Sequence, residues 1–356
     1  GLYPPDIGGP ATYSKKLEEE LPKQNVSVEV LSFGSVRKLS KAVRHLVYFL
    51  KVLKLGRKAD VIFAQDPISV GLPSMLAAKI LHKKFVLKTV GDYAWEQGVQ
   101  RFGVKELLDI FLLKKDYSWQ VKLLRWAEKL VAEKADKIIT PSEYLKTVVV
   151  RWGIDAKKIS VVYNAVEFKT VDPTKHDGER WVVSVGRLVP WKGFDTLIEI
   201  MPCLLKQFPD LRLKIIGGGP EMENIKYQIS NIKMENYVEL TGELSRDKTL
   251  SYIHSADIFV LNSGYEGLSH VILEALSLGR PVLASKIGGN SELLNEENLF
   301  IYNDKKEILE KIKKVLENVS TSKIDGGLLN KFKLESMIEE TKKALGGVEQ
   351  FNNLTI

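Results

Sequence analysis

Asn262-Ser263-Gly264-Tyr265-Glu266-Gly267-Leu268-Ser269-His270-Val271-Ile272-Leu273-Glu274-Ala275 follows the apolar run 257–261 and leads into helical periodicity over 270–277. Strand, glycine-bearing loop and helix in that order make the repeating unit of a parallel α/β sheet. Glu266 falls in the loop at the strand's C-terminal end, and Glu274, eight residues on, is expected about two turns into the helix. Amides at a helix N-terminus suit a phosphate or a polar sugar. A carboxylate beside them repels phosphate but accepts hydrogen bonds from hydroxyl groups. A ligand that combines hydroxyls with phosphate satisfies both. The two acids also fit plainer roles, Glu266 in the first turn of a helix and Glu274 on a solvated face.

Three further glycine-bearing turns flank this one. Gly186-Arg187-Leu188-Val189-Pro190-Trp191-Lys192-Gly193 follows the run 181–186, and Gly217-Gly218-Gly219-Pro220 follows 211–216. Two cations five residues apart beyond a strand can clamp a diphosphate, Arg187 with its planar fork and Lys192 as a point charge, or can simply be a solvated basic loop. The glycines at 217–219 permit close backbone approach by a ligand, or form a plain turn. Gly8-Gly9 opens the chain in the same style, although no strand precedes it. Gly-x-Gly-x-x-Gly, Walker A and Asp-x-Asp patterns are absent, which weighs against a metal–diphosphate site of the Asp-x-Asp type.

Outward from these loops, short β-branched runs alternate with amphipathic stretches. Strands are expected at 26–33, 60–64, 85–90, 137–140, 158–163, 181–186, 211–217, 237–241, 257–261 and 281–284, and helices at 13–21, 42–55, 144–152, 194–206 and 270–277. The strands read as nearly continuous apolar runs, as parallel strands covered on both faces do. The fold class is α/β. Its expected divisions are an N-terminal Rossmann-like domain at 1–168, a polar linker at 169–180, a C-terminal Rossmann-like domain at 181–335, and a helix and tail at 336–356 expected to return to the N-terminal domain. A glycine turn such as Gly8-Gly9 normally follows a buried strand, so the first domain is expected to lack its first strand.

At 356 residues with 44% hydrophobic and 27% charged residues, the chain is globular and long enough for two domains. No apolar run reaches the ~18 residues of a membrane span, and no basic-then-apolar signal segment opens the chain. Cys203 stands alone, so no internal disulfide or thiolate metal cage is expected, and a reducing cytoplasm suits it. Residues 1–170 hold 29 Lys and Arg against 18 Asp and Glu, and the remainder 23 against 27. Residues 37–58 contain eight Lys and Arg and no acid, with Val43, Leu46, Val47, Leu50 and Leu53 near helical spacing. Such a helix suits an anionic membrane surface, or packs conventionally with a solvated basic face. The stretch 95–126 adds Phe102, Phe111, Tyr117 and Trp119 among further cations. Aromatics of this kind suit a headgroup boundary or a plain core.

Together the loops resemble the retaining nucleotide-sugar glycosyltransferases of family 4, which have the two-domain GT-B fold of two parallel-sheet domains facing a cleft. Glu266 and Glu274 match that family's glutamates with seven residues between, and Arg187 and Lys192 its Gly-Arg-Leu-x-x-x-Lys-Gly loop. Gly8-Gly9 matches the N-terminal glycine loop. Ser142-Glu143 with Tyr163-Asn164-Ala165-Val166 resembles the crossover, and Gly279-Arg280-Pro281-Val282 and Gly288-Gly289-Asn290-Ser291-Glu292 are family-like. Tyr163, Ala165 and Asn290 depart from the usual residues. The segment Thr89-Val90-Gly91-Asp92-Tyr93-Ala94-Trp95-Glu96 lacks the histidine of the acceptor motif, leaving Asp92 as its best-placed polar residue, or as a helix cap.

The resemblance implies a transfer from GDP-mannose or a UDP-sugar to a hydroxyl of a glycan or lipid-linked acceptor, with retention and without metal or cofactor. Glu274 would take the ribose hydroxyls, and Glu266 with the amides of Gly267 and Leu268 the transferred sugar. Arg187 and Lys192 would hold the diphosphate, and Gly8, Gly9, Gly186 and Gly218 would admit the donor. Asp92 is the acceptor-side candidate for catalysis. The resemblance and the charge pattern together imply a cytoplasmic enzyme of cell-envelope glycan synthesis, peripheral on the inner face of the plasma membrane through 37–58. Two alternatives stand beside this: a sugar-nucleotide epimerase of the same fold, and a non-catalytic membrane- or nucleic-acid-binding module. Nucleic acid is not expected as a partner, since it would leave the sugar-diphosphate loops without a purpose.

Overall fold

The computed structural model describes residues 3, 9–174, 178–318, 327, 330–346 and 352–356. The chain divides into two units, residues 1–165 with 330–356, and residues 166–329. The first carries α1 (Gly9–Glu20), β1 (Ser27–Glu29), α2 (Lys41–Gly56), β2 (Val61–Ala64), α3 (Gly71–Leu81), β3 (Lys84–Lys88), α4 (Tyr93–Arg101), α5 (Leu108–Leu113), α6 (Trp119–Lys134), β4 (Lys137–Thr140), α7 (Glu143–Arg151) and β5 (Ile159–Val161). The second carries β6 (Arg180–Val185), α8 (Phe194–Leu205), β7 (Leu211–Ile216), α9 (Met222–Asn231), β8 (Val238–Gly242), α10 (Arg246–Ser255), β9 (Ile258–Leu261), α11 (His270–Ser277), β10 (Val282–Ser285), β11 (Leu299–Phe300) and α12 (Lys305–Glu317). The chain then re-enters the first unit with α13 (Leu334–Leu345) and β12 (Asn353–Thr355).

Each unit is built on one six-stranded sheet, and every strand pair in both sheets is parallel. In the first sheet the side chains alternate faces as the pleat requires. Ile62, Ala64, Phe85, Leu87 and Ile138 turn to a core with Tyr48, Val52, Ala78, Val131 and Val149. Val61, Phe63, Val86 and Ile139 turn the other way, to Tyr13 and Leu17 of α1 and Met337, Ile338 and Leu345 of α13. In the second sheet Val182, Leu213, Ile215, Ile258 and Val260 meet Phe194, Leu197 and Ile198 of α8, Ile225 of α9 and Ile308 of α12. The helices α10 and α11 pack on β6, β9 and β10.

The first sheet runs β1-β12-β2-β3-β4-β5. In a doubly wound sheet the strand that feeds α1 lies between β1 and β2. Here β12 lies there, so the position expected to be vacant is held by residues from the other end of the sequence. Ser27 N donates to Asn352 O at 2.7 Å and Ile356 N to Glu29 O at 2.9 Å, and Asp60 N donates to Asn353 O at 2.9 Å on the opposite side. The Asp60 carboxylate accepts from the amides of Asn352 and Asn353 at 2.9 and 3.0 Å. These bonds hold the Asp60 carboxyl below the usual carboxylate range, the Asn352 amide contributing most. Neither β12 nor β11 was expected from sequence, because three and two residues are too few to show an alternating pattern.

The polar stretch 169–180 is not a bare connector. Val171 O and Thr174 O are bonded by His254 Nδ1 and Ser255 Oγ of α10 at 2.6 and 2.9 Å, and Ser251 Oγ donates to Asp172 O. Main-chain groups make these contacts, which is why the stretch has no side-chain periodicity. Leu354 is the buried side chain at the middle of β12. Leu354→Ala should lower stability by about 2–5 kcal/mol, the range for a buried leucine truncation. Urea unfolding checks this, and an unchanged midpoint would mean β12 is not integral to the sheet.

Candidate active site

The second sheet runs β11-β10-β9-β6-β7-β8, so β6 sits between β7 and β9. The chain leaves β6 into α8 on one face and leaves β9 into α11 on the other. Loops that depart in opposite directions open a crevice at the C-terminal ends of adjacent strands, which is where ligands bind in open α/β sheets. The β6 loop carries Arg187 and Lys192, and the β9 loop carries Glu266.

Main-chain bonds fix these loops to each other. Gly264 N donates to Trp191 O at 2.6 Å, and Leu188 N to Gly218 O at 2.8 Å. The buried Asn262, first residue beyond β9, donates through Nδ2 to Gly193 O at 2.9 Å and to Asn303 Oδ1 at 2.7 Å, and its own Oδ1 accepts from Asn303 N at 3.0 Å. Gly193 adopts φ +55°, and a Cβ there would lie 2.4 Å from Asn262 Nδ2, so only glycine lets the loops close. The β10 loop supports the other side. Gly288 has φ +60°, and a Cβ on it would stand 1.9 Å from Glu266 O, which accepts from Gly289 N at 3.1 Å. Asn290, unusual at its position, is buried and donates to Ser285 O at 3.0 Å, anchoring this loop to the end of β10.

Two of the four charges then meet. Lys192 Nζ lies 2.5 Å from Glu266 Oε1, with only 16% and 12% of the two side chains exposed. Gly186 sits against the stem of Lys192, where an added Cβ would meet Cδ and Cε at 3.6 Å. Arg187 is exposed and makes no salt bridge among the described residues. Gly217–Gly219 pack on the β6 loop, where a Cβ on Gly219 would meet Leu188 O at 2.3 Å. Gly267 lies under Gly289, whose Cβ would fall 2.4 Å from Gly267 O and 3.1 Å from the Leu268 Cα.

Glu274 needs a correction. The helix starts at His270 as expected, which makes Glu274 its fifth residue, about one turn into α11 and not two. It is 15% exposed and pairs with Arg246 of α10, whose Nη2 lies 3.3 Å from Oε1. Burial raises the Glu274 carboxyl above the usual range, and Arg246 pulls it back.

Asp92 is a second correction. It is buried as the N-cap of α4, accepting from Trp95 N at 2.7 Å through one oxygen and from Trp152 Nε1 at 3.0 Å through the other. Both oxygens are engaged inside the first unit, so the cap reading of its position prevails over the catalytic one. Buried Glu128 reinforces it by accepting from the amides of Tyr93 and Ala94 at 2.9 and 3.3 Å. Burial raises both carboxyls, Glu128 well above its ordinary value. Gly9 is the first residue of α1 in the first unit, and Gly8 lies outside the described residues. Among the described residues no group of three or more His, Cys, Asp or Glu could hold a metal ion.

Sequence reading missed Arg246, Asn262 and Asn303. Asn303, at φ +61°, is one of four described non-glycine residues with positive φ, a conformation no motif announces. Arg246 left a weak trace, since a cation in a helix's first turn is opposed by the macrodipole.

Comparison with known proteins matches this arrangement. The family profile described as glycosyl transferases group 1 matches residues 166–324, and that described as glycosyltransferase family 4 matches residues 7–169. The phosphatidylinositol N-acetylglucosaminyltransferase GPI3 subunit of Saccharomyces cerevisiae is 25% identical over 316 residues, covering 83% of this chain and 69% of that protein. A GDP-mannose-dependent alpha-(1-6)-phosphatidylinositol monomannoside mannosyltransferase of Mycolicibacterium smegmatis is 36% identical over 118 residues, 31% of each chain. The solved structure of Anabaena Alr3699/HepE in complex with UDP superposes with a TM-score of 0.67 at 20% identity, covering 83% of this chain and 81% of that one. The profiles together cover residues 7–324, and the chain belongs to the family 4, group 1 glycosyltransferases of GT-B fold.

Proposed function

We propose that the chain transfers a sugar from a nucleoside-diphosphate sugar, GDP-mannose or a UDP-sugar, to a hydroxyl of a glycan or lipid-linked acceptor, retaining the anomeric configuration. The observation that carries this is the meeting of Lys192 and Glu266 at the β6–β9 switch point, with exposed Arg187 on the same loop. The ion pair holds each charge in place until a donor arrives. The diphosphate then takes Lys192 and Arg187 as counter-charges, and Glu266 turns to accept from the sugar's hydroxyls. Fixed cations stabilise the negative charge that builds on the departing diphosphate, so the gain falls in the transition state. The acceptor hydroxyl attacks on the face the diphosphate leaves, which retains configuration without a protein nucleophile. Neither a metal nor a cofactor enters this scheme. Glu274 takes the ribose hydroxyls. UDP in the solved relative and GDP-mannose in the name of the mycobacterial one support a donor of this class.

A membrane-borne acceptor has separate support. Thirteen of the sixteen exposed large hydrophobic side chains among the described residues lie between Leu39 and Val150, in the first unit. On α2, Val43, Leu46 and Leu50 form one exposed face, while Tyr48 and Val52 on the opposite face enter the core. On α6, Trp119, Leu123 and Trp126 repeat the arrangement at spacings of four and three. Lys54 on α2 and Lys122 and Lys129 on α6 are exposed on the same helices. Apolar faces with basic rims and tryptophans suit the boundary of an anionic bilayer, and phosphatidylinositol in the names of two relatives points the same way. No helix among the described residues is long and apolar enough to cross a membrane. The proposed address is the cytoplasmic face of the membrane, with the product entering envelope glycan.

Arg187→Ala and Lys192→Met should each weaken UDP or GDP binding about 10- to 100-fold, the loss of a charge-assisted bond, and leave uridine or guanosine binding nearly unchanged. Calorimetry distinguishes the two, and equal losses for nucleotide and nucleoside would contradict the diphosphate clamp. For the membrane, vesicles rich in phosphatidylglycerol should co-sediment the protein at low salt, and Trp119→Ser with Trp126→Ser should reduce the bound fraction several-fold. No sedimentation of the unaltered chain would end the lipid-surface reading.

A further inference from the structure

Arg246 is the first residue of α10, where the helix's positive end disfavours a cation. Carboxylates on two sides offset that cost. Nη1 donates to Glu167 Oε2 at 2.8 Å, and Nη2 to Glu167 O at 2.9 Å. Two bonds to one residue fix the guanidinium plane, as a single-point lysine contact would not. With the plane fixed, Nη2 also reaches Glu274 Oε1 at 3.3 Å. The bond engages one oxygen of Glu274. Its Oε2 makes no hydrogen bond among the described residues. A carboxylate pinned through one oxygen presents the other in a set direction, and while ionised it is an acceptor at both oxygens, whereas protonation turns one of them into a donor. Burial works against ionisation of Glu274, so a neighbouring cation is what keeps the acceptor available.

We infer that Arg246 is the positioning residue for the ribose end of the donor: anchored on Glu167, it orients the Glu274 carboxylate so that the enzyme selects ribonucleotide over deoxyribonucleotide donors. The inference rests on the proposed nucleotide-sugar reading and adds to it the residue responsible for sugar-ring discrimination in the nucleotide. Arg246 touches no reacting bond. Its loss removes binding felt equally in ground and transition states, which raises KM and leaves kcat unchanged. Arg246 and Glu167 are 42% and 54% exposed as side chains, so substitution leaves the core intact.

The test measures UDP and GDP, and their 2′- and 3′-deoxy forms, by calorimetry on the full chain and on Arg246→Ala, Arg246→Lys, Glu167→Gln and Glu274→Gln. Melting temperatures accompany each measurement. Arg246→Ala should weaken ribonucleotide binding about tenfold, leave the affinity for the deoxy form that lacks the contacted hydroxyl unchanged, and so abolish discrimination. Arg246→Lys, which keeps the charge without the fork, should fall between. Glu167→Gln should lose part of the discrimination by loosening the anchor. With the sugar donor found by turnover, KM should rise in Arg246→Ala at constant kcat. Retained discrimination in a folded Arg246→Ala overturns the inference, and so does a fall in kcat at constant KM. If Glu274→Gln also discriminates normally, the ribose assignment of Glu274 is wrong and the inference falls with it, while diphosphate binding by the unaltered chain would still uphold the broader reading. Failure of the unaltered chain to bind UDP or GDP overturns both.

Discussion

Lys192 and Glu266 are 74 positions apart in sequence and 2.5 Å apart in space. Removing both charges from most of their water costs free energy that their attraction only partly returns, and deleting one partner would strand the other. A pair of that kind contributes little to stability. On the proposed reading its value lies in exchange: Lys192 can turn to a diphosphate and Glu266 to sugar hydroxyls, provided the backbone beneath them does not move. The surrounding loops supply that rigidity. Asn262 bridges to Gly193, Gly264 to Trp191, and Gly288 and Gly289 sit beneath Glu266, so both charges stand on main chain that is hydrogen-bonded across the crevice.

The second unit therefore concentrates its polar chemistry at one end of a sheet whose strands are apolar along their length. Arg246 extends the same economy to the far side of the crevice. One guanidinium ties Glu274 to Glu167, the second residue of this unit, while the rest of α10 binds the carbonyls of 171–174. In the first unit the buried carboxylates do a different job. Asp92 and Glu128 are both consumed by the amides at the start of α4, with Trp152 completing the arrangement, and what the unit offers outward is apolar and basic surface on α2 and α6.

The strands 137–140 and 211–216 and the helix 270–277 were legible because each has a pattern complete within itself: an apolar run of strand length, or an amphipathic stretch opened by a polar residue. The two glutamates and the Arg187–Lys192 loop were legible as residue types at a fixed spacing beside a strand. Asp92 was legible only as two alternatives, since a short acid after a strand serves equally as a cap or as a reactive group, and what separates them is whether an indole and an amide occupy its oxygens. Glu274 was placed a turn too deep because its depth was counted from Glu266, four residues before the helix begins at His270.

The order of residues alone determined a parallel α/β chain in two parts and marked four charged side chains as candidates for a sugar diphosphate, because strand burial, helix periodicity and local loop chemistry are short-range properties. The tertiary structure decided the rest. Residues 353–355 become a strand between β1 and β2 by pairing with both, and a partnership with residues some 292 positions away leaves no mark in a three-residue segment. The pairing of Lys192 with Glu266, and of Arg246 with Glu274, follows from which strands lie side by side, and adjacency in a doubly wound sheet is set by the winding of the whole unit.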